Sequence, residues 1–180
     1  MAHLPRLLMR REGFENLPQV RLEFGYLLRT YREGDHEVWC EVTNGHTYDG
    51  WTPKKFSRGI LKSSRFDPQG LFFVTFGSRA AGTVCAWTDG RGKTTGTLRL
   101  LVVRSEHRGR GIGRFLAVRA LEYFRDHGLA ACEIEVDRTR LAAIRLCLEL
   151  GFRPVCADAS EWQRWEKVLR KLVSEVHVNV

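Results

Sequence analysis

The segment Leu98-Arg99-Leu100-Leu101-Val102-Val103-Arg104-Ser105-Glu106-His107-Arg108-Gly109-Arg110-Gly111-Ile112-Gly113 constrains this chain more than any other. An apolar run feeds a glycine-rich turn, and the residues that follow place Ile112, Leu116, Ala120, Tyr123 and Phe124 on one helical face. A strand, a tight turn and a long helix are therefore expected in that order. Such a turn presents backbone N–H groups at the positive end of the helix dipole, and glycine lets an anion approach without Cβ obstruction. Arg108, Arg110 and Arg114 add charge around the cradle. The terminal Gly-Lys-[Ser/Thr] of a Walker loop is missing. Gly109, Gly111 and Gly113 do not form Gly-x-Gly-x-x-Gly, so a dinucleotide fingerprint is excluded too.

The flanking pattern sets the fold class. Before the segment, Leu71–Phe76, Ala80–Thr88 and Thr97–Val103 read as three consecutive strands, with turns at Gly77-Ser78-Arg79 and at Asp89-Gly90-Arg91-Gly92-Lys93. Upstream, Val20–Tyr31 reads as a strand, Gly34 to about Val42 as a helix, and Thr52-Pro53 as the start of a second helix reaching about Lys62. Downstream come a helix from Gly111 to His127 capped by Gly128, a strand over Ala130–Asp137, a helix over Leu141–Leu150 and a short strand over Phe152–Cys156. Ser160-Glu161-Trp162-Gln163 fits a capping box for a closing helix over Asp158–Leu172, with Trp162, Trp165, Leu169 and Leu172 at helical spacing; Trp165–Leu169 also suits a strand. The order predicts an α+β fold with a mixed, mostly antiparallel central sheet flanked by helices. Residues 1–18 read as a tail ending at Pro18, 19–156 as the domain, and 157–180 as a helical C-terminal extension packed on it.

At 180 residues the chain is long enough for one domain that buries about 70 % of its unfolded surface. Its 43 % hydrophobic and 11 % aromatic content excludes disorder as the main state. No apolar run approaches the roughly 20 residues of a membrane span, and the first residues lack a signal-peptide core, so a soluble, cytoplasmic protein is expected. Lys and Arg number 29 against 21 Asp and Glu, a net charge of +8. The excess implies an anionic partner: nucleic acid, a membrane surface or a phosphorylated small molecule. Arg108, Arg110 and Arg114 favour the last, since no basic stripe interleaved with aromatics appears. Nucleic acid and membrane are therefore not expected as partners, and the chain is read as monomer or homodimer. The five cysteines form no Cys-x-x-Cys pair, so no metal site is expected and buried free thiols are.

Arg108-x-x-Gly111-x-Gly113 matches the pyrophosphate loop [Gln/Arg]-x-x-Gly-x-[Gly/Ala] of acyl-CoA-dependent N-acetyltransferases. Ala142-Ala143-Ile144-Arg145-Leu146-Cys147-Leu148-Glu149-Leu150-Gly151-Phe152 is similar to the same superfamily's C-terminal signature, Ala-Ile-x-Leu-Tyr followed by Leu-Gly-Phe. On these two motifs the chain resembles the GNAT superfamily across about residues 20–156. Phe66-Asp67-Pro68-Gln69-Gly70-Leu71-Phe72 is also similar to mycothiol-synthase-type members. The resemblance implies acetyl-CoA as cosubstrate, held in a V-shaped cleft between two diverging strands. It implies that Leu101, Val102 and Val103 offer backbone groups to the pantetheine and thioester. Arg108, Gly109, Arg110, Gly111, Ile112, Gly113 and Arg114 would hold the pyrophosphate. It also implies direct attack on the thioester by a primary amine, on a small molecule or a protein N-terminus.

Proton removal needs a base, and Glu135 stands where some members of the superfamily carry a glutamate. Strand alternation puts Glu133, Glu135 and Asp137 opposite Ile134 and Val136. Asp49 and His46 are alternative bases. Two positions depart from the pattern: Arg140 replaces an asparagine before the final helix, and Cys147 replaces the tyrosine that protonates the departing thiolate. Cys147 either takes over as acid or packs beside Ile144 and Leu148. Arg140 meets either a phosphate or an acidic acceptor, or it faces solvent. A non-catalytic acyl-CoA-binding module is the alternative to an enzyme. The loop Asn44–Trp51, with Trp87 and the carboxylates near Glu135, is expected to shape the acceptor site.

Overall fold

Strands β3 (Leu71–Phe76), β4 (Arg79–Thr88) and β5 (Thr95–Val103) form the expected antiparallel meander in a computed structural model that describes residues 6–45, 49–88 and 94–177. The fold class is the one expected, α+β with a mixed, mostly antiparallel sheet and flanking helices. The chain divides into two compact units. Residues Gly13–Cys132 make the larger, and Met1–Glu12 joined with Glu133–Val180 make the smaller.

In the larger unit β2 (Tyr26–Thr30) adds antiparallel to β3, giving the order β2-β3-β4-β5. β4 is buried along nearly its whole length because helices cover both of its faces. On one face Cys85 and Trp87 join Trp39 and Cys40 of α1 (His36–Thr43) and Phe56 of α2 (Pro53–Phe56) in an apolar cluster. On the other, Gly82 lies against Ile112 and Leu116 of α3 (Ile112–Asp126), where a Cβ would crowd both side chains. Helix α2 starts where Thr52-Pro53 predicts, with Thr52 Oγ1 accepting from Lys55 N, and a π-helical turn continues it over Ser57–Leu61. α1 is tied to β2 by a partly buried charge pair. Arg29 donates to both carboxylate oxygens of Asp35 at 2.5 and 2.9 Å, and Arg32 N donates to Asp35 at 2.7 Å. Arg29 also lies over the Phe73 ring.

The strand expected over Val20–Tyr31 is shorter than its alternating pattern. Gly25 takes φ +90° and Tyr26 N donates back to Glu23 O, so the chain turns and leaves Phe24 fully exposed before pairing begins. The hairpin at Asp89–Lys93 lies outside the described residues.

Strand β6 (Ala131–Val136) begins in the larger unit and continues into the smaller, whose strand order is β6-β1-β7. β1 is Leu7–Glu12 and β7 is Arg153–Pro154, paired antiparallel with Met9 opposite Pro154. This corrects the reading of residues 1–18 as a tail. Leu7 and Met9 are buried, Arg10 pairs with Glu133 at 2.8 Å, and Val155 N donates to Leu8 O. Leu7, Leu8 and Met9 are three apolar residues in a row with no alternation, and the partner strands come far along the chain, so no local pattern announces β1.

Helix α4 spans Leu141–Glu149, and α5 spans Ala159–His177. α5 is a helix throughout, so the strand alternative for Trp165–Leu169 is set aside. The capping box sits two residues earlier than the Ser160 pattern suggests. Asp158 Oδ1 accepts from Glu161 N, and Glu161 Oε2 accepts from Ala157 N, both at 2.8 Å. The buried face is Trp165, Val168 and Leu172, leaving Trp162 more than half exposed.

Met9 decides between a tail and a strand. Met9→Ala is expected to cost about 2–5 kcal/mol in chemical denaturation, as for other buried methionines, whereas a tail residue would be neutral.

Candidate active site

The strand, glycine turn and helix of the expected cradle follow one another in the predicted order. β5 ends at Val103, a short 3-10 turn covers Ser105–His107, and the chain passes through Gly109 and Gly111 into α3. Gly109 and Gly111 take φ +78° and +73°, which only glycine adopts without strain. A Cβ built on either would meet no atom within 4 Å, so the loop opens onto free space. Gly111 is the N-cap of α3, and as a glycine it brings no side chain to cap the N–H groups of the first turn. The cradle thus sets the first-turn backbone donors at the positive end of a 15-residue helix.

The arginines around it are placed by neighbours in the same unit. Arg108 Nε donates to Val103 O at 3.2 Å, fixing the loop to the end of β5. Arg110 pairs with Glu23 at 3.2 Å, both side chains about half exposed. Tyr26 Oη and His107 Nδ1 are hydrogen-bonded at 2.9 Å and pin the foot of the turn. Arg114, Ile112 and Gly113 form the first turn of α3, with Ile112 buried against the sheet.

Leu101, Val102 and Val103 occupy the last residues of β5. Val102 pairs with Thr83 and Val103 with Gly82, and Arg104 N donates to Ala81 O. Just before them the register slips, since Cys85 lies opposite Arg99 and Thr83 opposite Val102. β5 thus carries one residue more than β4 over this interval, and Leu100 within it takes φ +58°. No sequence signal marks this β-bulge, because leucine is not a residue that signals positive φ. Bulges re-aim side chains and free backbone groups from the ladder.

The acceptor-side expectations divide. Asn44 clamps Trp51 through two hydrogen bonds, Nδ2 to the carbonyl at 2.9 Å and N–H to Oδ1 at 3.0 Å, closing the Asn44–Trp51 loop. Asp49 Oδ1 accepts from Gly45 N in the same loop. His46 lies outside the described residues. Trp87 belongs to the aromatic cluster under α1 and α2.

Glu135, Arg140 and Cys147 belong to the smaller unit. The strand alternation of β6 holds: Ile134 and Val136 are buried while Glu135 is exposed. Each carboxylate has a local partner. Glu133 pairs with Arg10 at 2.8 Å, Glu135 with Arg6 at 3.4 Å, and Asp137 Oδ1 accepts from Thr139 N and Oγ1. Those Thr139 bonds hold the Asp137 carboxyl below its usual range. Arg140 is the N-cap residue of α4, where its carbonyl accepts from Ala143 N and Ile144 N. Cys147 is 4 % exposed, and burial pushes its thiol up to about 12.

The thiols give a direct check. Cys40, Cys85, Cys132 and Cys147 are buried and Cys156 is exposed. An aromatic disulfide reagent at pH 8 is expected to titrate one thiol in the native protein and five in denaturant. Burial raises Cys85 and Cys147 to about 12 in the fold, against about 8.5 unfolded. The protonated thiols are thus the folded form, and stability should fall between about pH 8.5 and 12 as the unfolded chain ionises first.

A model of the family described as "Acetyltransferase (GNAT) family" matches residues 32–152. A mycothiol acetyltransferase of Thermomonospora curvata is 31% identical over 167 residues, covering 88% of this chain and 55% of that protein. A second mycothiol acetyltransferase, from Acidothermus cellulolyticus, is 33% identical over 167 residues, with 82% and 50% covered. The chain therefore spans about half the length of these relatives. In fold it is similar to a GCN5-related N-acetyltransferase from Sphaerobacter thermophilus, with a TM-score of 0.70 at 22% identity over 83% of this chain and 48% of that one. With the matched segment running from just ahead of α1 through the cradle to Phe152, the chain belongs to the acetyltransferase (GNAT) family.

Proposed function

We propose that the chain is an N-acetyltransferase that moves an acetyl group from acetyl-CoA to a primary amine by direct attack, with no covalent enzyme intermediate. Acetyl-CoA is the acyl donor of the family to which the chain belongs. The observation that carries the reading is the cradle. Two glycines at positive φ leave open space where a Cβ would intrude, ahead of a helix start whose N-cap is itself a glycine. A pyrophosphate suits that donor set, and Arg108, Arg110 and Arg114 supply the matching charge.

Gly109 through Arg114 would hold the pyrophosphate, and the backbone of Leu101, Val102 and Val103 would pair with the pantetheine. When bound, acetyl-CoA supplies an activated acyl group. Backbone N–H groups fixed in a strand stabilise charge developing on a carbonyl oxygen without having to reorganise. Proton removal from the amine falls to Glu135, an exposed carboxylate whose described partner is Arg6. The burial of Cys147, with its thiol pushed up to about 12, supports packing within α4 over proton donation. A CoA thiolate leaves well enough near neutral pH for water to protonate it.

The test is release of free CoA thiol from acetyl-CoA across a panel of amines. Because the relatives are named mycothiol acetyltransferases, a mycothiol-related amine belongs in that panel. Gly111→Ala should weaken acetyl-CoA binding about tenfold or more, since its Cβ enters the cradle. Wild-type affinity in that variant would defeat the assignment. Glu135→Gln should lower kcat about 10²-fold or more if it is the base; an unchanged kcat would leave it as Arg6's surface partner. CoA binding without turnover on any amine would favour the binding-module alternative.

A further inference from the structure

We propose that Arg99 recognises the acceptor, binding a carboxylate carried by the same small molecule that bears the amine. The inference rests on the acetyltransferase reading and deepens it. Arg99 sits on β5 opposite Cys85, with its guanidinium carbon 4.6 Å from the centre of the Trp87 ring. Arg65 approaches the same ring at 6.0 Å. Trp87 is a buried platform, 7 % exposed, and its indole N–H has no hydrogen-bond partner of ordinary geometry among the described residues. Arg99 carries donors only, and a ligand rich in acceptor atoms is its natural complement.

The charge is not neutralised where one would look for it. Among the described residues no carboxylate is ion-paired to Arg99, although in the same unit Arg29 has one and Arg104 two. The facing Cys85 is buried, and its thiol is held neutral. An exposed arginine on a strand is ordinarily a solvated side chain. Stacking on a buried indole instead orders the planar fork in advance, which is the state that binds a carboxylate with two parallel hydrogen bonds.

Position gives the size of the ligand. Arg99 precedes Leu101–Val103 by two to four residues on the same strand. At about 3.3 Å per residue the separation is roughly 7–13 Å. A carboxylate on Arg99 and an amine at the thioester edge therefore fit on one small molecule, such as an amino acid whose side chain carries the amine. A long polymer is not needed to bridge them.

The experiment uses the full chain and pairs of free amino acids with their carboxamides, which differ only in the negative charge. Binding is measured by calorimetry with and without saturating CoA. The carboxylate members should bind at least tenfold tighter than the amides. Arg99→Gln should abolish that difference, and Arg99→Lys should keep part of it, since a point charge replaces a fork. In turnover, Arg99→Gln should raise KM for the carboxylate acceptor more than it lowers kcat. Equal binding of acid and amide, binding of neither by protein that still binds CoA, or a preference that survives Arg99→Gln would overturn the inference. Failure of the wild-type chain to bind CoA would instead defeat the acetyltransferase reading, and the titration without CoA judges the carboxylate site by itself.

Discussion

One extra residue in β5 decides what each side of the larger unit's sheet presents. Side chains alternate along a strand, so an inserted residue sends every later side chain to the opposite face. With Leu100 at φ +58°, Val102 joins Leu100 in the cluster under α1 and α2, and Leu101 and Val103 are left half-buried. Holding a leucine at positive φ costs about 1–3 kcal/mol. The conformation is over-determined: Trp39, Phe56 and Phe73 pack on one side, and the Thr83–Val102 pairing closes the other end of the slip. The same slip separates Arg99, which still faces Cys85, from Leu101, Val102 and Val103, the residues proposed to line the thioester.

Much of the fold is legible because its signals are local. Gly111 and Gly128 bracket α3, both at positive φ, and the helix between them buries the five residues that the spacing puts on one face. Thr52-Pro53 opens α2 as capping chemistry dictates. Where local signals mislead, a neighbour competes. Asp158 takes the N-cap of α5 in place of Ser160 because the carboxylate of Glu161, three residues on, completes the reciprocal pair. Spacing alone puts Trp162 on the core side, yet the buried face of α5 runs through Val168 instead.

The candidate site is legible in the same proportion. Its glycines betray themselves, since a glycine-rich turn between an apolar run and an amphipathic stretch has few structural uses besides an open strand-to-helix cradle. The bulge leaves no trace, because packing and not residue type forces Leu100 into its conformation. Arg99 looks like one basic residue among 29, and only the Trp87 ring beneath it sets it apart. Cys147 is visible as a departure from the family's pattern, but its burial follows from the packing of α4, which no single position announces.

Strand β1 carries a consequence for how the molecule is made. The larger unit is one continuous stretch of chain, so it can form on the ribosome as soon as its residues emerge. The smaller unit is assembled from segments on either side of it. Leu7–Glu12 must wait first for β6 and then for Arg153–Pro154, and until β6 emerges Leu7 and Met9 are exposed apolar side chains on an unpaired strand. A segment that emerges ahead of the whole larger unit is thus secured only after that unit is complete. During synthesis the vulnerable point is this waiting strand, and its protection depends on residues translated long after it.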